Sequence, residues 1–166
     1  MKEVLINLTR YNVWANKRII QLLNEVQTDV LNELVPSSFP TLRKTIYHIW
    51  DAQVIWLQRM QGISLSVWPS NEYGDDFAGY DLYFIQQSED FRNFVEQKPE
   101  SFFTSVCFYK TINGNEYQSL NWEIIMHCMN HSTYHRGQMI TMLHELGITN
   151  LPATDFIFYL RNKELN

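Results

Sequence analysis

His127, His131 and His135 stand four residues apart in the stretch His127-Cys128-Met129-Asn130-His131-Ser132-Thr133-Tyr134-His135-Arg136-Gly137-Gln138. On a helix, positions four apart share a face, with Cβ atoms roughly 5–6 Å apart. His131 and His135 can then present ring nitrogens to one metal ion, at ~2.0–2.1 Å if the metal is zinc. His127 lies one turn earlier on nearly the same face, where the roles of ligand, ligand support and pocket wall are all open to it. Two histidines on one helix make only an edge of a coordination sphere. A third donor must come from a facing element, and His48 is the histidine that lies far away in the sequence. Three neutral imidazoles plus open positions make a catalytic type of site, whereas closed structural zinc sites usually use four protein ligands, often thiolates. Imidazole suits zinc, nickel, copper and iron alike, and zinc and nickel head the expected divalent ions.

The competing reading for any single histidine is a hydrogen-bonded core or rim residue. The four-residue spacing weighs against it for His131 and His135. Cys128 sits about 100° around the helix from His127 and reads as a small core residue. His144 lies near the helix end on a different face, where it suits the C-terminal dipole. Zincin proteases carry Glu directly after the first histidine as general base. Here Ser132, Thr133 and Tyr134 fill the interval, so peptide hydrolysis of that kind is not expected.

Four long amphipathic segments are available to position this face. Residues 3–27 carry Leu5, Leu8, Tyr11, Ala15, Ile19, Leu22 and Val26 at helical spacing. Two prolines and two serines in 36–40 stop propagation, and Thr41 is placed to cap a second helix over 41–61, which Gly62 ends. That helix holds His48, with Asp51 a turn later. Residues 62–78, with Gly62, Pro69, Gly74, Asp75 and Asp76, read as a loop. A third helix spans 79–98, closed by Pro99. Residues 102–120 turn β-prone around Asn113-Gly114, a tight-turn signal. The fourth helix, 120–146, is capped by Asn121 or Ser119 and ended by Gly147. Gly137 inside it is expected to mark close packing against another backbone or a partner. Thr154–Leu160 is a candidate short last helix. The expected fold is all-α: a four-helix bundle with a short β-hairpin before the last long helix, in a single domain over residues 1–166.

The composition narrows the function classes. Hydrophobic residues make up 45% of the 166, which excludes a largely disordered chain. A net charge of −5 argues against nucleic-acid binding, which needs a basic footprint. Two cysteines make no disulfide framework. The N-terminus lacks the apolar core of a signal peptide, and no stretch approaches the ~18 apolar residues of a membrane span. The expectation is a cytoplasmic protein without nucleic-acid or membrane partners.

Asn130-His131-Ser132-Thr133-Tyr134-His135-Arg136-Gly137-Gln138 resembles the signature of the DinB/YfiT-like family, named for induction by DNA damage. Tyr11-Asn12-x-Trp14-Ala15-Asn16, Thr45-Ile46-x-His48-Ile49 and the Asn113-Gly114 turn fit as well, so the resemblance runs nearly the whole chain. It implies a four-helix bundle holding a divalent metal on His48, His131 and His135, with His127 outside the usual ligand set, and a homodimer. Characterised relatives of the fold include thiol-dependent S-transferases and a thiol-dependent isomerase. The leading expectation is therefore a metal-dependent S-transferase joining a small-molecule thiol to an electrophile. Trp14, Trp50 and Tyr134 are its candidate pocket walls and Asp51 and Tyr134 its candidate catalytic residues, while Arg136 is a candidate to bind a substrate carboxylate, a protein acid or a dimer partner. A metal-dependent hydrolase, using metal-bound water with Asp51 as base, and a non-catalytic stress-induced metal-binding protein are the rivals.

Overall fold

The computed structural model describes residues 1–74 and 77–162. The loop reading of Asp75 and Asp76 lies outside the described residues. Four long helices are present: α1 (Lys2–Glu25), α2 (Leu42–Met60), α3 (Tyr80–Gln97) and α5 (Asn121–Glu145). A single-turn α4 (Glu100–Phe103), the strands β1 (Val106–Lys110) and β2 (Glu116–Leu120), the short α6 (Phe156–Asn162) and two 3-10 turns, Thr28–Asn32 and Pro69–Glu72, complete the order. The expected bundle and hairpin are both there.

Local signals set the helix ends. Thr41 caps α2 by accepting a hydrogen bond from the Lys44 amide at 3.1 Å. Gly62 and Gly147 end α2 and α5 in left-handed conformations, with φ of 84° and 83°. Each is followed by a residue whose N–H turns back five positions: Ile63 to the Gln58 carbonyl and Ile148 to the Leu143 carbonyl, both at 2.9 Å. That closing pair of bonds uses carbonyls the helix leaves unpaired.

Two local expectations are corrected. Neither Ser119 nor Asn121 caps α5. Glu123 reaches back to accept from the Leu120 amide at 2.9 Å, while the Asn121 side chain donates to Phe102 O and to Ser105 O and Oγ. Asn121 is thus spent on anchoring the hairpin's lead-in. The β-prone run begins late, because Phe102 and Phe103 belong to the α4 turn that Pro99 opens, and Phe103 is buried in the core. The hairpin itself is antiparallel, pairing Val106 with Leu120 and Lys110 with Glu116.

Packing runs in a ring from α1 to α3, α2, α5 and back to α1. α2 and α5 are antiparallel neighbours: Thr45 faces Met142, His48 faces His131, and Trp56 faces His127. The apolar core falls into two main clusters. One joins Ile19, Ile46, Ile49, Phe84, Met139 and Leu143; the other joins Leu5, Leu57, Phe91, Phe103, Ile125 and Cys128.

A buried polar network also crosses the interior. The Arg136 guanidinium donates from one terminal nitrogen to Asn12 Oδ1 at 2.6 Å and Asn16 Oδ1 at 2.8 Å. Its other terminal nitrogen donates to Thr133 Oγ1 at 2.8 Å. Asn16 donates onward to Ser88 Oγ on α3 at 2.9 Å, and Asn12 donates to Gln53 Oε1 on α2 at 3.4 Å. All four long helices share this network. Among the described residues Arg136 therefore pairs with two amide oxygens and a hydroxyl, not with the acid the sequence suggested. Gly137 is exposed, and a Cβ built there would meet nothing within 4 Å, so it does not mark close packing within the chain.

Asn16→Ala removes one acceptor from a buried cation and one donor to Ser88. Hydrogen bonds to charged groups contribute about 1.5–3 kcal/mol each. Urea denaturation is expected to show a loss of about 2–3 kcal/mol, well above the effect of exposed Asn24→Ala measured alongside.

Candidate metal centre

The α2/α5 seam brings His48, His131 and His135 together. One ring nitrogen from each lies within 4.8 Å of the others, forming a group that could hold a metal ion. His48 Nε2 and His131 Nε2 are 2.8 Å apart. Nitrogens bound ~2.0–2.1 Å from one zinc-sized ion sit ~3 Å from each other, so the separation is of the right size. The ring centroids of the three histidines are 4.4–4.7 Å apart.

The rings are held uncharged. Burial, and then the proximity of His135, pulls His48 down to about 4. Burial, followed by the neighbouring His135, His48 and His127, takes His131 to about 3. Burial also lowers His135. Near neutral pH all three are uncharged, which leaves lone pairs for a cation. His135 Nδ1 donates to Gln138 Oε1 at 2.7 Å, which fixes the tautomer and frees Nε2. Gln138 in turn donates to Ser38 Oγ at 2.7 Å and to the Tyr134 hydroxyl at 3.1 Å. The loop before α2 is thereby tied to the histidine face. From that loop Phe39 lies over His48, with ring centroids 4.2 Å apart.

A cavity of about 600 Å³ adjoins the cluster at His48, walled by Phe39, Tyr47, Trp68 and Tyr73 with Asp51 and Ser70. Asp51 is buried, and its two oxygens accept from the Ser70 amide at 2.7 Å and hydroxyl at 2.6 Å. Burial raises its pKa, and the Ser70 hydrogen bonds oppose the shift. The carboxylate anchors the turn Pro69–Glu72 whose leading residue, Trp68, sits 6.4 Å from His48. Tyr134 is 62% exposed, edge-on to His135 at 4.9 Å. His127 is exposed and stands outside the triad, its ring 5.9 Å from His131.

The aromatic walls differ from those expected. Trp14 packs against Tyr159 and Phe158 of α6, well away from the histidines. Trp50 is buried against Tyr47, Tyr73 and Tyr83. Phe39 and Trp68, both in connections between helices, take their place. Those positions carry no periodic signal. Gln138 was more legible, since it follows His135 at the three-residue spacing that puts two side chains on one helix face.

The DinB family model matches residues 1–164. The chain belongs to the DinB family. It is 28% identical over 168 residues to Protein DinB of Bacillus subtilis (strain 168), covering 96% of this chain and 95% of the relative. A DinB-like protein from Bacillus cereus ATCC 10987 superposes with a TM-score of 0.64 at 16% identity, covering 84% of this chain and 89% of the other. Another from B. subtilis gives 0.65 at 14% identity, with 89% and 97% coverage. These structural likenesses establish the DinB fold alone. No helix among the described residues of this DinB-family chain is long and apolar enough to cross a membrane.

Two outcomes follow from the site's geometry. In metal-free protein, His48 and His131 titrate lower when folded than their ordinary 6.5. The unfolded chain therefore binds more protons below about 6.5, and stability falls as the pH drops from there toward about 3. The urea midpoint should decline over that window, and less steeply in His48→Gln. Separately, Asp51→Ala leaves the Ser70 amide and hydroxyl without their acceptor and should cost about 1–3 kcal/mol. Proteolytic nicking within 62–74 should speed up in Asp51→Ala and stay near wild type in Asp51→Asn, which keeps one acceptor.

Proposed function

We propose that this DinB-family protein is a metal-dependent transferase that joins a small-molecule thiol to a small electrophile. The observation that carries the reading is the convergence of three neutral imidazoles from two helices beside an aromatic-walled cavity. The three-histidine set fits zinc or nickel. A bound divalent ion would supply the positive charge that favours a cosubstrate's thiolate over its thiol.

The chain's own residues supply the rest. His48, His131 and His135 present lone pairs to the ion. Gln138 holds His135 in the tautomer that does so. Phe39, Tyr47 and Trp68 offer faces to an apolar electrophile. Asp51 positions the turn behind Trp68, and Tyr134 stands where its hydroxyl can meet a substrate at the rim. The thiol's sulfur forms the new bond to the electrophilic carbon, the leaving group departs with its bonding pair, and the thiol proton passes to water. The hydrolytic alternative has weaker support, because both oxygens of its proposed base, Asp51, already accept from Ser70. Both cysteines are free and buried, in keeping with a cytoplasmic location, and the family resemblance supports a homodimer.

Steady-state assays with a panel of low-molecular-weight thiols and the model electrophile 1-chloro-2,4-dinitrobenzene test the proposal. Turnover should depend on added metal, and His48→Ala and His135→Ala should each lower kcat/KM by at least ~100-fold, the upper end of what losing a ligand's support costs. Equal rates with and without metal, or in wild type and both variants, would overturn it.

A further inference from the structure

A second cluster lies farther along the α2/α5 seam, past His131. Arg59 is only 7% exposed, and its Nε is buried without a hydrogen-bond partner. No hydrogen bond or ion pair to its guanidinium occurs among the described residues. The group lies over the face of Trp56 at 4.4 Å and of Tyr109 at 5.0 Å. Trp56 meets His127 edge-on at 5.1 Å, and the His127 ring is 5.9 Å from His131. Arg59, Trp56, His127 and the metal triad are thus one continuous line of contacts.

The contrast with Arg136 is informative. Both residues are buried, and neither pairs with a carboxylate among the described residues. Both terminal nitrogens of Arg136 have acceptors in Asn12, Asn16 and Thr133, leaving only its Nε unpartnered, whereas no nitrogen of the Arg59 guanidinium has an acceptor among the described residues. A guanidinium offers five donors in a rigid fork, and withdrawing it from water without acceptors is unfavourable unless an anion supplies them. The aromatic faces hold the fork flat and strip its water without consuming its donors. From His48 to Arg59 the α2 axis advances roughly 16 Å, and from His131 back to His127 the α5 axis covers roughly 6 Å, at ~1.5 Å per residue. A small molecule roughly 10 Å long falls between the two.

We propose that Arg59 and His127, walled by Trp56 and Tyr109, form an anion subsite. It receives a carboxylate or phosphate group of the small molecule whose other end reaches the three histidines. The inference deepens the transferase reading and rests on it for the identity of that other end. It limits the cosubstrates to anionic ones: a thiol carrying a carboxylate or phosphate roughly 10 Å from its sulfur, with neutral thiols as poor substitutes.

Isothermal titration of the metal-free full chain with glutarate and with inorganic phosphate provides the test. At least one probe should bind wild type with a millimolar or tighter Kd, weakened at least tenfold in Arg59→Gln and at least threefold in His127→Asn. Tighter glutarate binding assigns a carboxylate, and tighter phosphate binding assigns a phosphate. The exposed position of His127 keeps the test decisive should Arg59→Gln fail to fold by circular dichroism. Absence of binding by wild type to both probes, or wild-type affinity in the folded variants, overturns the subsite. Binding that survives His135→Ala but not Arg59→Gln or His127→Asn would uphold the subsite even if thiol transfer itself fails its own assay.

Discussion

The buried guanidinium of Arg136 is the interaction on which the rest of this DinB-family structure depends. It lies in a helical interior where no carboxylate among the described residues balances it, so its desolvation is offset by correctly placed acceptors and by the Tyr11 ring face at 5.3 Å. Asn12, Asn16 and Thr133 supply them, and Asn12 and Asn16 are themselves bonded to Gln53 and Ser88. A sliding of any long helix by one turn would strand a charge or an amide in the core. Apolar packing alone tolerates such slips far better, because Leu, Ile and Met substitute for one another with little penalty.

That constraint reaches the candidate site through one peptide bond. Arg136 follows His135, so anchoring its side chain to α1 also sets the rotation of α5. The face of α5 about 100° around from Arg136 then presents His131 and His135 to α2. There His48 arrives within 2.8 Å of His131, in the half of α2 that Thr41 caps. Two loops finish the site: the segment before α2 delivers Phe39 and Ser38, and the turn held by Asp51 delivers Trp68. A rigid frame thus carries the donors, while connections form the pocket walls, a common division of labour in binding sites.

Much of the frame was legible in the sequence, because its signals are local. Thr41, Gly62, Pro99 and Gly147 mark helix ends to within a residue or two of α2, α3 and α5. The four-residue spacing of His131 and His135 placed them on one face, and His48 stood out as the distant partner. Other features were legible only with the fold in hand. Asn12 and Asn16 sit among apolar residues of α1 and become meaningful once Arg136 is seen to point at them. Trp14 and Trp50 looked like pocket walls because they are bulky, yet both are occupied by their own aromatic neighbours. Phe39 and Trp68 lie in aperiodic connections whose placement depends on contacts such as Ser70 with Asp51. Gly137 pointed to close packing by its type alone, and the space around it within the chain is open.

The chemistry proposed for this seam requires His48, His131 and His135 to act together as the ligands of one metal ion. Elemental analysis of untagged wild-type protein beside His48→Ala and His135→Ala tests it most directly. Wild type should carry about one divalent ion per chain, and both variants should lose it while still folded by circular dichroism. Full occupancy in the two variants, or no metal in wild type purified from metal-replete medium, would contradict it.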